Sequence, residues 1–265
     1  MPSRKTALVT GASAGLGVQF ARLFAADGCD LVLVARRRES MEALATELRD
    51  THGVAVQVIA EDLARPEAAE ALVAQLGAPV DYLVNNAGVG HTGAFASTDA
   101  ARELAMLSLN MTTLVLLTRL LLPGMLARRS GRILNVGSLA GFMPGPQMAG
   151  YYASKAFVNS FSEALSYELR GTGVTSTLLC PGATSTEFAA VAGVADSRLF
   201  ALGAMTATRV ASAGYRAMSR GRRRVIPGLF NKLSAFSMRL VPRGVATAIA
   251  ASLHRNGKKA LPAHG

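Results

Sequence analysis

The stretch TALVTGASAGLG, residues 6–17, runs from a β-prone apolar segment straight into three glycines and the start of a helical pattern. Residues 6–10 are short and show no polar face, which predicts a strand covered on both sides. Gly11, Gly15 and Gly17 follow in a G-x-x-x-G-x-G spacing. Glycine lets a chain turn tightly and lets its backbone approach a pyrophosphate. The helix N-terminus behind it offers free N–H groups and a positive dipole end. This spacing is not the G-x-G-x-x-G dinucleotide fingerprint, so the weight falls on its place between the first strand and the first helix.

The same strand signal recurs in CDLVLVA (29–35), VAVQVIA (54–60), VDYLVNNAG (80–88), RILNVGS (132–138) and VTSTLLC (174–180). Helical patterns at 15–27, 39–51, 66–76, 98–129 and 152–170 separate them. A helix near 207–219 and a short seventh strand at 222–228 close the series. Unbroken strand–helix alternation predicts a single-domain, Rossmann-type α/β fold. Its parallel, doubly wound sheet of about seven strands carries helices on both faces. The core is expected over 5–188, a substrate loop over 187–206 and a basic C-terminal helical segment over 207–265.

The chain has 265 residues, half of them hydrophobic, and no Trp. Its two cysteines, Cys29 and Cys180, lie far apart and its four histidines are scattered, so neither a disulfide scaffold nor a metal site is expected. No signal peptide is read at the N-terminus. The longest apolar run, 114–126, contains Arg119 and Pro123 and is shorter than a membrane span, so a cytoplasmic protein is expected, peripheral to a membrane at most. Charge is uneven. Residues 1–188 carry 15 Lys and Arg against 16 Asp and Glu, whereas residues 189–265 carry 13 against Asp196 alone.

The second strand ends at Ala35 and is followed by Arg36, Arg37 and Arg38. An acidic residue near that strand end would accept from a ribose 2′-OH and select NAD. A guanidinium instead binds a 2′-phosphate through charge-assisted hydrogen bonds, so NADP(H) is the expected cofactor, with Arg36 first and Arg37 accessory. In GYYASKAF (150–157), Tyr151 and Tyr152 lie four and three residues before Lys155. Either spacing puts a phenol and an ammonium on one helix face, and an ammonium lowers the pKa of a nearby phenol.

Taken in order, these segments resemble the short-chain dehydrogenase/reductase family over residues 5–188. TGASAGLG resembles its cofactor motif, Asp62-Leu63 its adenine-contacting pair, NNAG (85–88) the end of its fourth strand, and YYASK its catalytic motif. Ser138 precedes Tyr151 by the family's usual separation, and PGATST (181–186) resembles the loop over the nicotinamide. The resemblance implies that Tyr151 is the acid–base residue and that Tyr152 is a packing neighbour. It further implies that Ser138 bonds the substrate oxygen and that Lys155 binds the nicotinamide ribose and favours the tyrosinate. Asn110, in LSLNMTT (107–113), is implied to hold a water that connects Lys155 to solvent. Cofactor contacts are implied for Gly11, Ser13, Gly15, Leu16, Gly17, Arg36, Arg37, Asp62, Leu63, Asn86, Ala87 and Gly88. Tyr151, Lys155, Pro181, Gly182, Thr184 and Thr186 complete that set.

Phe95, Phe142, Met143, Met148, Phe188 and Phe200 are expected to make an apolar rim, which favours a hydrophobic ketone or acyl-like carbonyl over a sugar. PGATSTEF and the pattern at 222–233 are similar to the branch of hydroxysteroid and long-chain 3-oxoacyl reductases. The family's habit of pairing through two long helices implies a homodimer or homotetramer here, through 98–129 and 152–170, with Leu114, Leu117, Phe157, Phe161 and Leu165 at the contact. Two other classes compete: a catalytically silent nucleotide-binding sensor, and an interaction protein with a basic docking tail. No nucleic-acid motif or stacking stripe is present, so nucleic acid is not an expected partner. In 227–243, Leu229, Leu233, Phe236 and Leu240 form one helical stripe, with Lys232, Arg239 and Arg243 beside it. Such a helix either packs on protein or lies in a membrane interface, a weak peripheral contact.

Overall fold

The computed structural model describes residues 4–194, 197 and 203–254. Strands β1 (Thr6–Thr10), β2 (Asp30–Ala35), β3 (Val56–Ala60), β4 (Tyr82–Asn85), β5 (Gly131–Val136), β6 (Val174–Leu179) and β9 (Arg224–Val225) form one sheet in the order β3-β2-β1-β4-β5-β6-β9. Every pairing is parallel, from Thr6 opposite Asp30 to Leu179 opposite Val225. All five residues of β1 are buried, as a strand with helices on both faces must be.

Helices α1 (Gly15–Ala26), α2 (Arg38–His52) and α8 (Ala207–Ser219) cover one face. Phe20 and Phe24, one turn apart on α1, fill that layer with Met41 and Leu48 of α2 and Val210 and Met218 of α8. The other face carries α3 (Ala68–Ala74), α4 (Ala100–Leu107), α5 (Thr113–Ala127) and α6 (Ala149–Glu168), with Leu72, Leu117, Met125 and Leu165 in its core. The cofactor-type cleft of such a sheet lies outside the strand carboxyl ends where the order reverses, here between β1 and β4.

The expected long helix at 98–129 is interrupted: a π turn at Ser108–Thr112 joins α4 to α5. The whole run Ala100–Ala127 is 28 residues, long and apolar enough to cross a membrane. Its inner residues Leu114, Leu117 and Met125 are nevertheless built into the protein core. This corrects the pairing surface read from sequence. Leu114, Leu117 and Leu165 are buried within the chain, while Leu104, Leu120, Leu126, Phe157 and Tyr167 are exposed large apolar residues of these helices.

A two-residue parallel pair, β7 (Thr184–Ser185) with β8 (Met205–Thr206), brackets the expected substrate loop, which begins with α7 (Glu187–Val191). The C-terminal segment forms α9 (Leu229–Ser237) and α10 (Arg243–His254), so the stripe expected over 227–243 ends its helix at Ser237, with Leu240 in the following turn. Phe200 and residues 255–265 lie outside the described residues.

Candidate active site

The glycine turn is shaped by contacts only glycine allows. Gly11 has φ 67°, and a Cβ on Gly17 would overlap the Gly11 carbonyl. Gly17 therefore seats α1 against the turn, and it does not line the cavity. The α1 N-terminus has no side-chain cap at Ala14, so Gly15 and Leu16 present free backbone N–H groups to the cleft. Asn86 braces the turn from β4, its Nδ2 donating to Thr10 O at 2.9 Å and to Gly11 O at 3.3 Å.

Beside the turn opens a cavity of about 690 Å³. It is lined by each cofactor-contact residue named from the sequence except Gly17, together with Ser138. Arg36 is exposed at its edge and makes no hydrogen bond or ion pair among the described residues. Arg37 is engaged: it donates to Ser13 O at 3.1 Å and pairs with Glu187 at 2.8 Å.

Helix α6 begins at Ala149, earlier than expected, which puts Tyr151 in its first turn. Tyr151 and Ser138 line the same cavity, with the Ser138 side chain close enough to the phenol to act on its ionisation. Lys155 donates to Val136 O at 2.9 Å, and its Nζ sits 5.9 Å from the centre of the Tyr151 ring. Burial pushes Tyr151 up to about 12, and the neighbouring Ser138 side chain opposes it. Burial likewise pushes Lys155 down to about 8. Desolvation dominates both groups here, with the Lys155 ammonium turned to the β5 carbonyl.

Asn110, at the π turn, accepts from Val89 N–H at 3.0 Å and donates to Val89 O and to Ser154 Oγ. A Cβ on Gly88 would stand 3.1 Å from Asn110 Oδ1 and 3.5 Å from Lys155 Nζ. A π turn at this point matches its frequent use at functional sites. Tyr152 is buried beneath Gly145, in edge contact with Tyr151.

Asn159 was not read from the sequence. One turn beyond Lys155, it donates to Ser138 O at 3.0 Å and faces Ser138 N–H at 3.4 Å. A Cβ on Gly137 or Gly141 would overlap it, so both glycines exist to admit it. The available signal was the row 151, 155, 159 on one helix face. Asn159→Ala is expected to lower kcat about ten- to a hundredfold by loosening Ser138, with little change in cofactor affinity. Steady-state kinetics check this; an unchanged kcat would mean that Asn159 only stabilises the fold.

Met143, Met148 and Phe188 line the outer cavity as expected. Phe95 does not: it is 70% exposed. Phe142 packs instead against the cluster of Leu178, Cys180, Ile226 and Ala235. Unexpectedly, α9 and α10 complete the wall with Asn231, Ser234, Met238, Ile249 and Leu253. Asn231, Ser234 and Met238 recur at i, i+3 and i+7, a second face opposite the leucine stripe that the sequence reading had passed over.

A family model described as short chain dehydrogenase matches residues 5–195. The chain belongs to that family. Short-chain dehydrogenases of this fold are oxidoreductases that bind a nicotinamide cofactor, and the glycine turn, free helix N-terminus and adjoining cavity fit one. The sulfoacetaldehyde reductase of Chromohalobacter salexigens is 43% identical over 188 residues, 69% of this chain and 74% of that protein. The ketoacyl reductase HetN of Nostoc is 39% identical over 68% of this chain, and the chain spans 64% of its length. Likewise it spans 62% of a short chain dehydrogenase of Pseudocercospora fijiensis. A short-chain dehydrogenase from Sphingobium yanoikuyae, solved with NADPH, superposes with a TM-score of 0.81 at 32% identity, covering 98% of this chain and 100% of that one. A family member from Burkholderia phymatum, solved with NAD, has a TM-score of 0.78 at 29% identity, covering 90% and 92%.

Proposed function

We propose that this short-chain dehydrogenase is an NADP(H)-dependent reductase that interconverts a ketone and a secondary alcohol on a hydrophobic lipid-, steroid- or acyl-like substrate. The observation that carries the reading is that Ser138, Tyr151 and Lys155 line one cavity together with Met143, Met148 and Phe188. Bound nicotinamide supplies or accepts the hydride. Tyr151 donates the proton to the carbonyl oxygen, and Ser138 donates a hydrogen bond to the same oxygen as charge develops there. Lys155, reached past the open face of Gly88, holds the ribose hydroxyls and keeps a positive charge near the emerging tyrosinate. Asn110 belongs with these three, holding a water beyond Lys155. Arg36 reads the 2′-phosphate, with Arg37 accessory.

We further propose one catalytic domain over 1–265, working in the cytoplasm as a homodimer or homotetramer paired through the exposed residues of α4, α5 and α6, with 227–243 touching a membrane surface. The second reading, a silent nucleotide sensor, has less support, because a sensor needs no Tyr151–Ser138 pair. Initial rates with NADPH and NADH over a panel of hydrophobic ketones and sugars test the proposal. Turnover confined to NADPH and apolar ketones supports it, and no turnover with any ketone would favour the sensor.

Lys155 supplies a pH test. Its folded pKa is lowered to about 8, so its charge is present below that pH and lost above it. Reductive kcat/KM is therefore expected to fall with a single-proton limb near pH 8, since that ratio reports the free enzyme. A profile flat to pH 10 would show that the Lys155 charge has no part in the reaction.

A further inference from the structure

Helix α9 is turned inside out for a helix that packs only on its own domain. Its inner side places Asn231 and Ser234 at the cavity, whereas Leu229, Phe230, Leu233, Phe236 and Leu240 are each 60–74% exposed. Val245 and Ile249 of α10 extend the same apolar exposure. Exposed large apolar side chains gathered on one helix in this way mark an interaction site. Two residues join it to the cavity: Phe230 and Ile249 are exposed and also line the wall, so the mouth opens onto the patch.

The charges around the patch choose its partner. Residues 207–254 contain nine Lys and Arg and no Asp or Glu. Arg223 and Arg224 are taken up by Glu163, at 2.8 and 2.9 Å. Arg222, Lys232, Arg239 and Arg243 remain exposed. A second copy of the chain fits poorly, because a two-fold contact sets this patch against itself and brings cation to cation with no acid between. An anionic bilayer fits both features, with apolar side chains at the acyl boundary and cations at the headgroups.

We propose that α9 and the start of α10 dock on an anionic lipid bilayer, with the cavity mouth facing it, so that the carbonyl substrate enters from the membrane. The substrate clause rests on the reductase reading and deepens its membrane contact; the docking clause is independent of turnover. Sedimentation of the full chain with phosphatidylglycerol-containing vesicles and with pure phosphatidylcholine vesicles, at low and high salt, tests the docking. Wild type is expected to pellet with the anionic vesicles at low salt only. Leu233→Glu/Phe236→Glu is expected to lower that binding about tenfold or more. Neither residue lines the cavity, so this variant should reduce a water-soluble ketone at the wild-type rate and lose rate only on a long-chain ketone held in vesicles.

No pelleting of wild type at low salt overturns the proposal. Equal pelleting of wild type and the double variant overturns it too, since charge alone would then explain binding. If light scattering shows an oligomer that the double variant breaks, with no vesicle binding, the face is an interface between copies. Absence of any ketone reduction beside intact vesicle binding would remove the reductase reading and its substrate clause, and leave the docking standing.

Discussion

Tyr151→Phe is expected to lower kcat for ketone reduction by about 10²–10⁴-fold, the scale of a positioned general acid. Phenylalanine keeps the ring and its contacts with Tyr152 and Phe188, and removes only the phenolic hydroxyl that donates the proton. Cofactor affinity should hardly change, because the lost hydroxyl is not part of the phosphate-binding turn. Tyr152→Phe is expected to cost less than about tenfold, since its ring packs beneath Gly145 and against Tyr151 and the variant keeps that ring. Stopped-flow or steady-state rates with fluorescence titration of NADPH separate the two effects. A severe Tyr152 variant beside a mild Tyr151 variant would reverse the assignment.

Arg36→Ala carries the next largest effect. Loss of a hydrogen bond to a charged group is worth about 1.5–3 kcal/mol, so NADPH affinity should fall roughly ten- to 150-fold, with NADH nearly unchanged. Arg37→Ala should do less, because Glu187 already offsets the Arg37 charge at 2.8 Å. Titration of both cofactors against both variants measures this. Equal losses for NADPH and NADH in Arg36→Ala would mean that Arg36 does not read the 2′-phosphate.

Much of this arrangement was legible in the chain. Buried parallel strands read as short apolar runs, so the sheet was visible with its edge strand β9, although β9 proved to be only Arg224–Val225. The cavity lining was legible because the glycine turn, NNAG and PGATST each end a strand at the same edge of the sheet. Other features were not legible, for physical reasons. The π turn at Ser108–Thr112 is held by bonds from Asn110 to Val89 and Ser154, partners far away in sequence. Helical periodicity marked Leu114, Leu117 and Leu165 as apolar, but it cannot tell a core face from a pairing face. The same limit hid the role of α9. The Leu229–Leu233–Phe236 stripe was read as either a packing face or a membrane-facing one, whereas the quieter face of Asn231, Ser234 and Met238 meets the cavity.

The phenol value also depended on tertiary context. Spacing placed Lys155 one turn from Tyr151, yet only the folded chain shows Lys155 donating to Val136 O and burial setting both pKa values. A phenol that holds its proton at neutral pH can give it to a carbonyl oxygen without a prior ionisation step.

Deuteride transfer tests the central claim most directly. Wild-type protein is mixed with NADPH deuterated at the transferable C4 position and a hydrophobic ketone, and the product is analysed by mass spectrometry. The predicted result is a secondary alcohol carrying one deuterium at the former carbonyl carbon, formed by wild type and almost absent with Tyr151→Phe. Tight binding of NADPH with no deuterated alcohol from any ketone in the panel would contradict the account and leave a cofactor-binding protein without turnover.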